Sequence, residues 1–227
     1  MSEIKQKQSR RTRKIAAIAA GLLVVGVGAT YTLASWSDSE WVWGGGSGAN
    51  DPGVGTSTFE VQQDTTSPYA DPGTFADFES NPGKKLTFST GALALTPGDT
   101  IYAPVALRTR ADSIAGTVTL QGAVPATGVS VADAGGNLWS ALRVTVYTAS
   151  GTTPPSNCAA GMDLTGWGTA IISDATLSTA ATVTQGLTAA AGSTQHYCFQ
   201  VTLPAGSADT LQGRTVAPAW EFRSVSN

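Results

Sequence analysis

"HYCFQVTLP", residues 196–204, decides how the rest of the chain is read. Tyr197, Phe199, Val201 and Leu203 fall on one side of this stretch, and His196, Cys198 and Gln200 on the other. A period of two with large apolar residues on one side is the pattern of a β-strand that buries one face. The pattern recurs on either side. "TIYAPVALRTR" (100–110) places Ile101, Ala103, Val105 and Leu107 opposite Tyr102, Arg108 and Arg110. "ALRVTVYTA" (141–149) aligns Leu142, Val144 and Val146, "IAGTVTLQG" (114–122) aligns Ile114, Val118 and Leu120, and "TVAPAWEFRSV" (215–225) aligns Val216, Trp220 and Phe222. "TFEVQQ" (58–63) and "KKLTFST" (84–90) alternate as well, the latter with Leu86 and Phe88 on one face. Gly, Pro, Asn and Asp punctuate the intervals. Beyond residue 34 no stretch carries a sustained 3.6-residue stripe. The expectation is an all-β antiparallel sandwich, jelly-roll-like, over residues 59–227.

Two details of the alternation reach further. Pro104 and Pro218 stand within strand patterns, and proline cannot donate to a ladder, so they predict edge positions or bulges. Cys158 and Cys198 are the only cysteines. In an exported chain such a pair predicts one disulfide, which on the chain-entropy estimate stabilises by roughly 4 kcal/mol; two buried free thiols are the alternative. Because Cys198 faces away from Phe199 and Val201, the bond should pin the loop "TTPPSNC" (152–158) across the outer side of a sheet.

The charge is sparse and uneven. Charged residues make up 13% of the 227, about half the usual share. Of 13 basic and 16 acidic residues, residues 1–34 hold six basic (Lys5, Lys7, Arg10, Arg11, Arg13, Lys14) and one acidic (Glu3). The remainder has 7 basic and 15 acidic, a net charge near −8. Nucleic acid and anionic lipid need clustered Lys and Arg, so neither is an expected partner of this acidic body. The basic head runs into "IAAIAAGLLVVGVGA" (15–29) and then "TYTLA" (30–34), the three-part plan of an export signal, with Thr32 and Ala34 at the −3 and −1 positions of a cut between Ala34 and Ser35. An uncleaved anchor is the rival reading, and contact with the membrane is expected only through this segment. "SRRTRK" (9–14) hints at a twin-arginine signal but lacks the apolar pair after the arginines.

Next come "SWSDSEWVW" (35–43) and the linker "GGGSGANDPGVGTST" (44–58). Three of the six tryptophans, Trp36, Trp41 and Trp43, stand within eight residues. Three fates are open to them: packing onto the chain's own sheet, donation as a strand to a neighbour, or disorder. A short apolar strand on a glycine tether is what strand addition requires. Residues 35–58 are therefore set apart from the sandwich as an N-terminal segment.

Catalytic patterns are sparse. His196 is the one histidine, and a strand histidine is ordinarily solvated or hydrogen-bonded. No H-E-x-x-H, G-x-S-x-G or P-loop is present. The carboxylates of 38–79 are scattered without a calcium-loop pattern, leaving a weak divalent-cation site as the minor reading. No enzyme activity, cofactor or metal is expected.

At Trp36-Ser37-Asp38 and Glu40, following a glycine-rich apolar region, the chain resembles alternate-signal exported proteins processed by SipW-type signal peptidases in Gram-positive bacteria. "LTPGDTIYAPVALRT" (95–109) and "LQGRTVAPAWEFRSVS" (211–226) are similar to segments of the TasA and camelysin-like proteins, in an actinobacterial composition. The resemblance implies a cut after Ala34, a jelly-roll-like sandwich, and in TasA itself assembly into biofilm matrix fibres by exchange of an N-terminal strand. Protease activity, described for camelysin, is not implied, because the histidine ligands it would need are missing. The chain also departs from TasA in its length, its disulfide and its tether. The expected protein is a secreted, non-catalytic structural protein of the cell surface or biofilm matrix, associating with itself or with another matrix protein. The alternative is an extracellular module that binds carbohydrate or cell wall.

Overall fold

The computed structural model describes residues 39–42, 55–66, 74–89 and 91–227. The chain divides into two compact units, Met1–Gly55 and Thr56–Asn227. In the first, residues 39–42 are exposed and without regular secondary structure. The expected signal segment 1–34 lies outside the described residues, as does the linker from Gly44 to Val54.

The regular secondary structure of the second unit is almost all strand. In chain order they are β1 (Val61–Asp64), β2 (Thr100–Thr109), β3 (Gly116–Leu120), β4 (Val124–Pro125), β5 (Arg143–Gly151), β6 (Ile172–Thr176), β7 (Gln185–Leu187), β8 (Thr194–Thr202), β9 (Pro218–Ala219) and β10 (Phe222–Ser226). One short helix, α1 (Asn137–Ala141), precedes β5. A five-stranded sheet has the order β1-β2-β8-β5-β6, a three-stranded sheet the order β10-β3-β7, and β4 and β9 form a two-stranded ribbon. Every named strand pairing is antiparallel. The all-β sandwich expected from the alternation is the observed fold.

Register explains the core. Ala103 pairs with Phe199 and Phe199 with Val146, so one rung crosses β2, β8 and β5 with all three side chains buried. Paired residues on antiparallel strands share a face, and the expected inner sets of these strands therefore meet in one apolar layer. Val118, Leu120 and Leu187 from the smaller sheet close it from the other side. Gly116 is required at the lip of that layer: a Cβ there would meet the Phe59 ring and the Val225 carbonyl oxygen, the latter at 2.5 Å.

Three segments differ from the sequence expectation. "KKLTFST" joins no ladder. Leu86 and Phe88 still pack against the core, but backbone contact with β2 is made at Ser89, whose N–H donates to the Tyr102 carbonyl (2.8 Å). Its alternation reflects a flank being closed, which asks for buried alternate residues without asking for a sheet partner. "TFEVQQ" forms its strand three residues later than read, at Val61–Asp64, while Thr58 makes an isolated bridge to Ser113. "TVAPAWEFRSV" is split into β9 and β10, since Pro218 can pair only in the short ribbon opposite Pro125.

The prolines sit where the missing N–H costs nothing. Tyr102 turns its N–H and C=O toward Ser89, away from β8, and Pro104 has the same orientation two residues on. β1 reaches only as far as Ala106, so Pro104 occupies a local edge of β2.

Two buried carboxylates tie loops to this frame. Asp64 accepts hydrogen bonds from Thr74 Oγ1 (2.5 Å), the Thr66 N–H (2.9 Å) and Lys84 Nζ (3.3 Å). Asp133 accepts the N–H groups of Leu138 and Trp139, both at 2.9 Å, and Arg214 Nη1 at 3.2 Å, anchoring α1 to the segment before β9.

Candidate functional site

Of the four edge strands of the two larger sheets, three are obstructed. β1 is covered where Gln63 and Ala76 exchange N–H to C=O bonds of 3.0 and 3.1 Å. β6 carries a register shift against β5 between Val144 and Val146, and Asp174 within it has φ 45°. β7 is three residues long. Such shortening and bulging is how sheets avoid edge-to-edge association.

β10 is different. The Gln121 N–H donates to the Glu221 carbonyl (2.8 Å) and the Asn227 N–H to the Ala115 carbonyl (3.2 Å), which sets the phase of the ladder. Odd-numbered residues of β10 therefore bond to β3, and Phe222, Ser224 and Ser226 aim their N–H and C=O groups outward. Among the described residues nothing pairs with them. The edge is five residues long and unbroken.

Beneath this edge lies an aromatic cluster. Phe222 packs at a tilt against Tyr197 (4.8 Å between centroids) and Trp220 against Phe199 (4.9 Å). Tyr197 Oη and Trp220 Nε1 are buried and have no hydrogen-bond partner among the described residues. Burial raises the Tyr197 pKa, so the phenol stays protonated and both groups are donors without acceptors.

At another flank the sandwich opens into a cleft of about 550 Å³ between the β5–β6 side and the approach to β7. Its floor is polar. Gln195 is 2% exposed; its carboxamide accepts from Ser150 Oγ and donates to Thr148 Oγ1, which in turn donates to the His196 carbonyl (2.9 Å). Thr169, Thr182 and Gln185 line the walls, and no charged or aromatic residue lines the cleft.

Cys158 and Cys198 form the disulfide, with Cα atoms 5.4 Å apart. It lies on the outer face of the five-stranded sheet, where Ala149, Trp167 and Cys198 are buried together with Tyr102, Tyr147 and Met162 beside them. Ser156 accepts from Trp167 Nε1 (2.9 Å) and donates to the Asp163 carbonyl (2.7 Å), bracing the loop. The outer face is thus a second small core. His196 is buried there at 1% exposure; desolvation lowers its pKa, partly offset by a hydrogen bond to the Gly151 backbone. The small cavity beside it is lined by Pro104, Pro154, Ser156, Cys158, Trp167 and Tyr197. Among the described residues no group of three His, Cys, Asp or Glu side chains is placed to hold a metal ion.

Of the residues singled out in the N-terminal segment, Ala34, Ser35, Trp36, Ser37, Asp38 and Trp43 lie outside the described residues. Glu40 and Trp41 are described and exposed, Trp41 at 90%. The open edge and the cleft were not singled out from sequence. The cleft left one signal: the inner row of β5 turns from Val144 and Val146 to Thr148 and Ser150, and that of β8 begins at Gln195. The edge left none, because whether a strand is outermost depends on its neighbours.

Comparison with protein-family models, with curated proteins and with solved structures finds no match to this chain. Among the described residues no helix is long and apolar enough to cross a membrane.

Proposed function

We propose that this is a secreted, non-catalytic structural protein of the cell surface or biofilm matrix, whose subunits join by strand addition. The donor is the tethered segment bearing Trp36, Trp41 and Trp43, and the acceptor is the outer edge of β10. The observation that carries this reading is the unbroken row of outward N–H and C=O groups at Phe222, Ser224 and Ser226 beside three obstructed edges. An added strand satisfies that row through its own backbone, and alternate apolar side chains cover Phe222 and Trp220. The disulfide and the acidic body suit an oxidising exterior.

The experiment is electron microscopy of the chain beginning at Ser35, beside a variant with Trp36, Trp41 and Trp43 all replaced by alanine. Filaments from the first, dispersed particles from the second, and equal melting temperatures for both are expected. If the alanine variant unfolds several degrees earlier, the tryptophans belong to the subunit's own core and the donor assignment fails.

The alternative, an extracellular module for carbohydrate or cell wall, draws its support from the uncharged cleft.

A further inference from the structure

The cleft floor is one of a few polar sites in a largely apolar interior. Along β5 and β8 the inner positions are Val144, Val146, Tyr197, Phe199 and Val201, and then the same faces become Thr148, Ser150 and Gln195. Gln195 is as buried as its apolar neighbours, and its carboxamide is held at both ends by Ser150 and Thr148. Burying such a group costs free energy that a leucine would not incur, and satisfying it internally brings stability only back toward the apolar alternative. Bonded to one another in this way, the amide and the two hydroxyls line a cleft of about 550 Å³, within the roughly 300–1,000 Å³ range of small-molecule sites.

The facing wall carries polar side chains among apolar ones. Gln185 pairs with buried Val118 and so shares its inward face, and Thr169 and Thr182 complete the lining. With no charged residue in the lining, an ionic ligand would lose its hydration without compensation. Each polar side chain of the lining can both donate and accept hydrogen bonds, as sugar hydroxyls do, and Ala170, Ile171 and Val183 place apolar surface beside them. An extended peptide would find few free backbone partners. The Gly168 and Ile171 N–H groups already bond to the Thr148 and Val146 carbonyls (3.0 and 2.8 Å), and β7 turns only Gly186 outward.

We propose that the cleft between β5, β8, the loop leading into β6 and the start of β7 is a binding site for an uncharged saccharide unit, with Gln195 and Gln185 as its recognition groups and Ser150 and Thr148 holding Gln195 in position. This site is separate from the β10 edge, and saccharide binding and filament formation are read separately, so either assignment falls without the other.

The test is an NMR titration of the full-length chain with cellotetraose, maltotetraose and N-acetylchitotetraose, each to millimolar concentration, following the side-chain amides of Gln185 and Gln195. At least one of the three is expected to shift both amides in a saturable way. Gln195→Leu should weaken that binding at least about tenfold, the loss of one to two hydrogen bonds. Thr182→Trp, which fills the exposed rim and leaves the buried network intact, should do the same. No shift with any of the three sugars overturns the proposal, and so does binding that survives both variants. A blocked tetra-alanine peptide that shifts the amides where the sugars do not would make the cleft a peptide site instead.

Discussion

Asp64 and His196 are both buried and respond to acid from opposite starting points. Burial works against the Asp64 carboxylate, but hydrogen bonds from Thr74, Thr66 and Lys84 outweigh it and hold the pKa below 3.8. Asp133 is also lowered, its burial outweighed by the Trp139 and Leu138 N–H groups and by Arg214. Stability from these carboxylates is fully present above the unfolded-state pKa and is lost as pH falls through the folded one, so it fades only below about pH 4. His196 acts earlier. Its folded pKa lies below 6.5 because desolvation disfavours the imidazolium, so the unfolded chain takes up the proton first and stability falls as pH drops below that value. The residues lining the cavity beside it carry no carboxylate to compensate. Chemical denaturation at intervals between pH 7 and about pH 5 is expected to show a loss of at most about 2 kcal/mol, at 1.36 kcal/mol per pH unit. His196→Gln should flatten that slope while leaving the fall below about pH 4 in place; an unchanged slope would move its origin elsewhere.

β10 carries the functional argument, and its geometry allows a selective substitution. The Ser224 N–H points away from β3, so Ser224→Pro removes an outward donor and leaves the internal ladder whole. Filament formation is expected to stop, with a melting temperature within a few degrees of the parent. Filaments that persist would place the acceptor on another strand. The same scale shows what could be read in advance. β2, β3, β5 and β8 were legible because each lines one face with larger apolar residues and the other mostly with polar or small ones, so their period of two is printed in residue type even where, as in β8, both faces are buried. β6 and β7 were not, since exposed residues such as Asp174 and Gly186 leave too few buried positions to set a period. "KKLTFST" shows the converse, alternation produced by a flank that is buried without being paired. Cys198 was legible as an outward residue, but the depth of the second core around it was not. That depth comes from Trp167 and Met162, which reach the sheet through a loop.

At the scale of the molecule, the chain pairs a compact sandwich with an N-terminal stretch rich in tryptophan and glycine. A net charge near −8 beyond residue 34 keeps such bodies apart at long range, so association needs a short-range, directional contact, and strand pairing supplies one. Fold class was open to reading because it is a statement about periodicity. Assembly was only indicated, through the resemblance and the placing of the tryptophans, because a free edge exists in space and not in the order of residues. The most direct measurement is amide hydrogen exchange at Phe222, Ser224 and Ser226, compared between dispersed subunits and assembled material. Strong protection of these three amides on assembly, with those of Arg223 and Val225 protected in both states, is the result expected. Equal exchange at Phe222, Ser224 and Ser226 in the two states would contradict strand addition at β10.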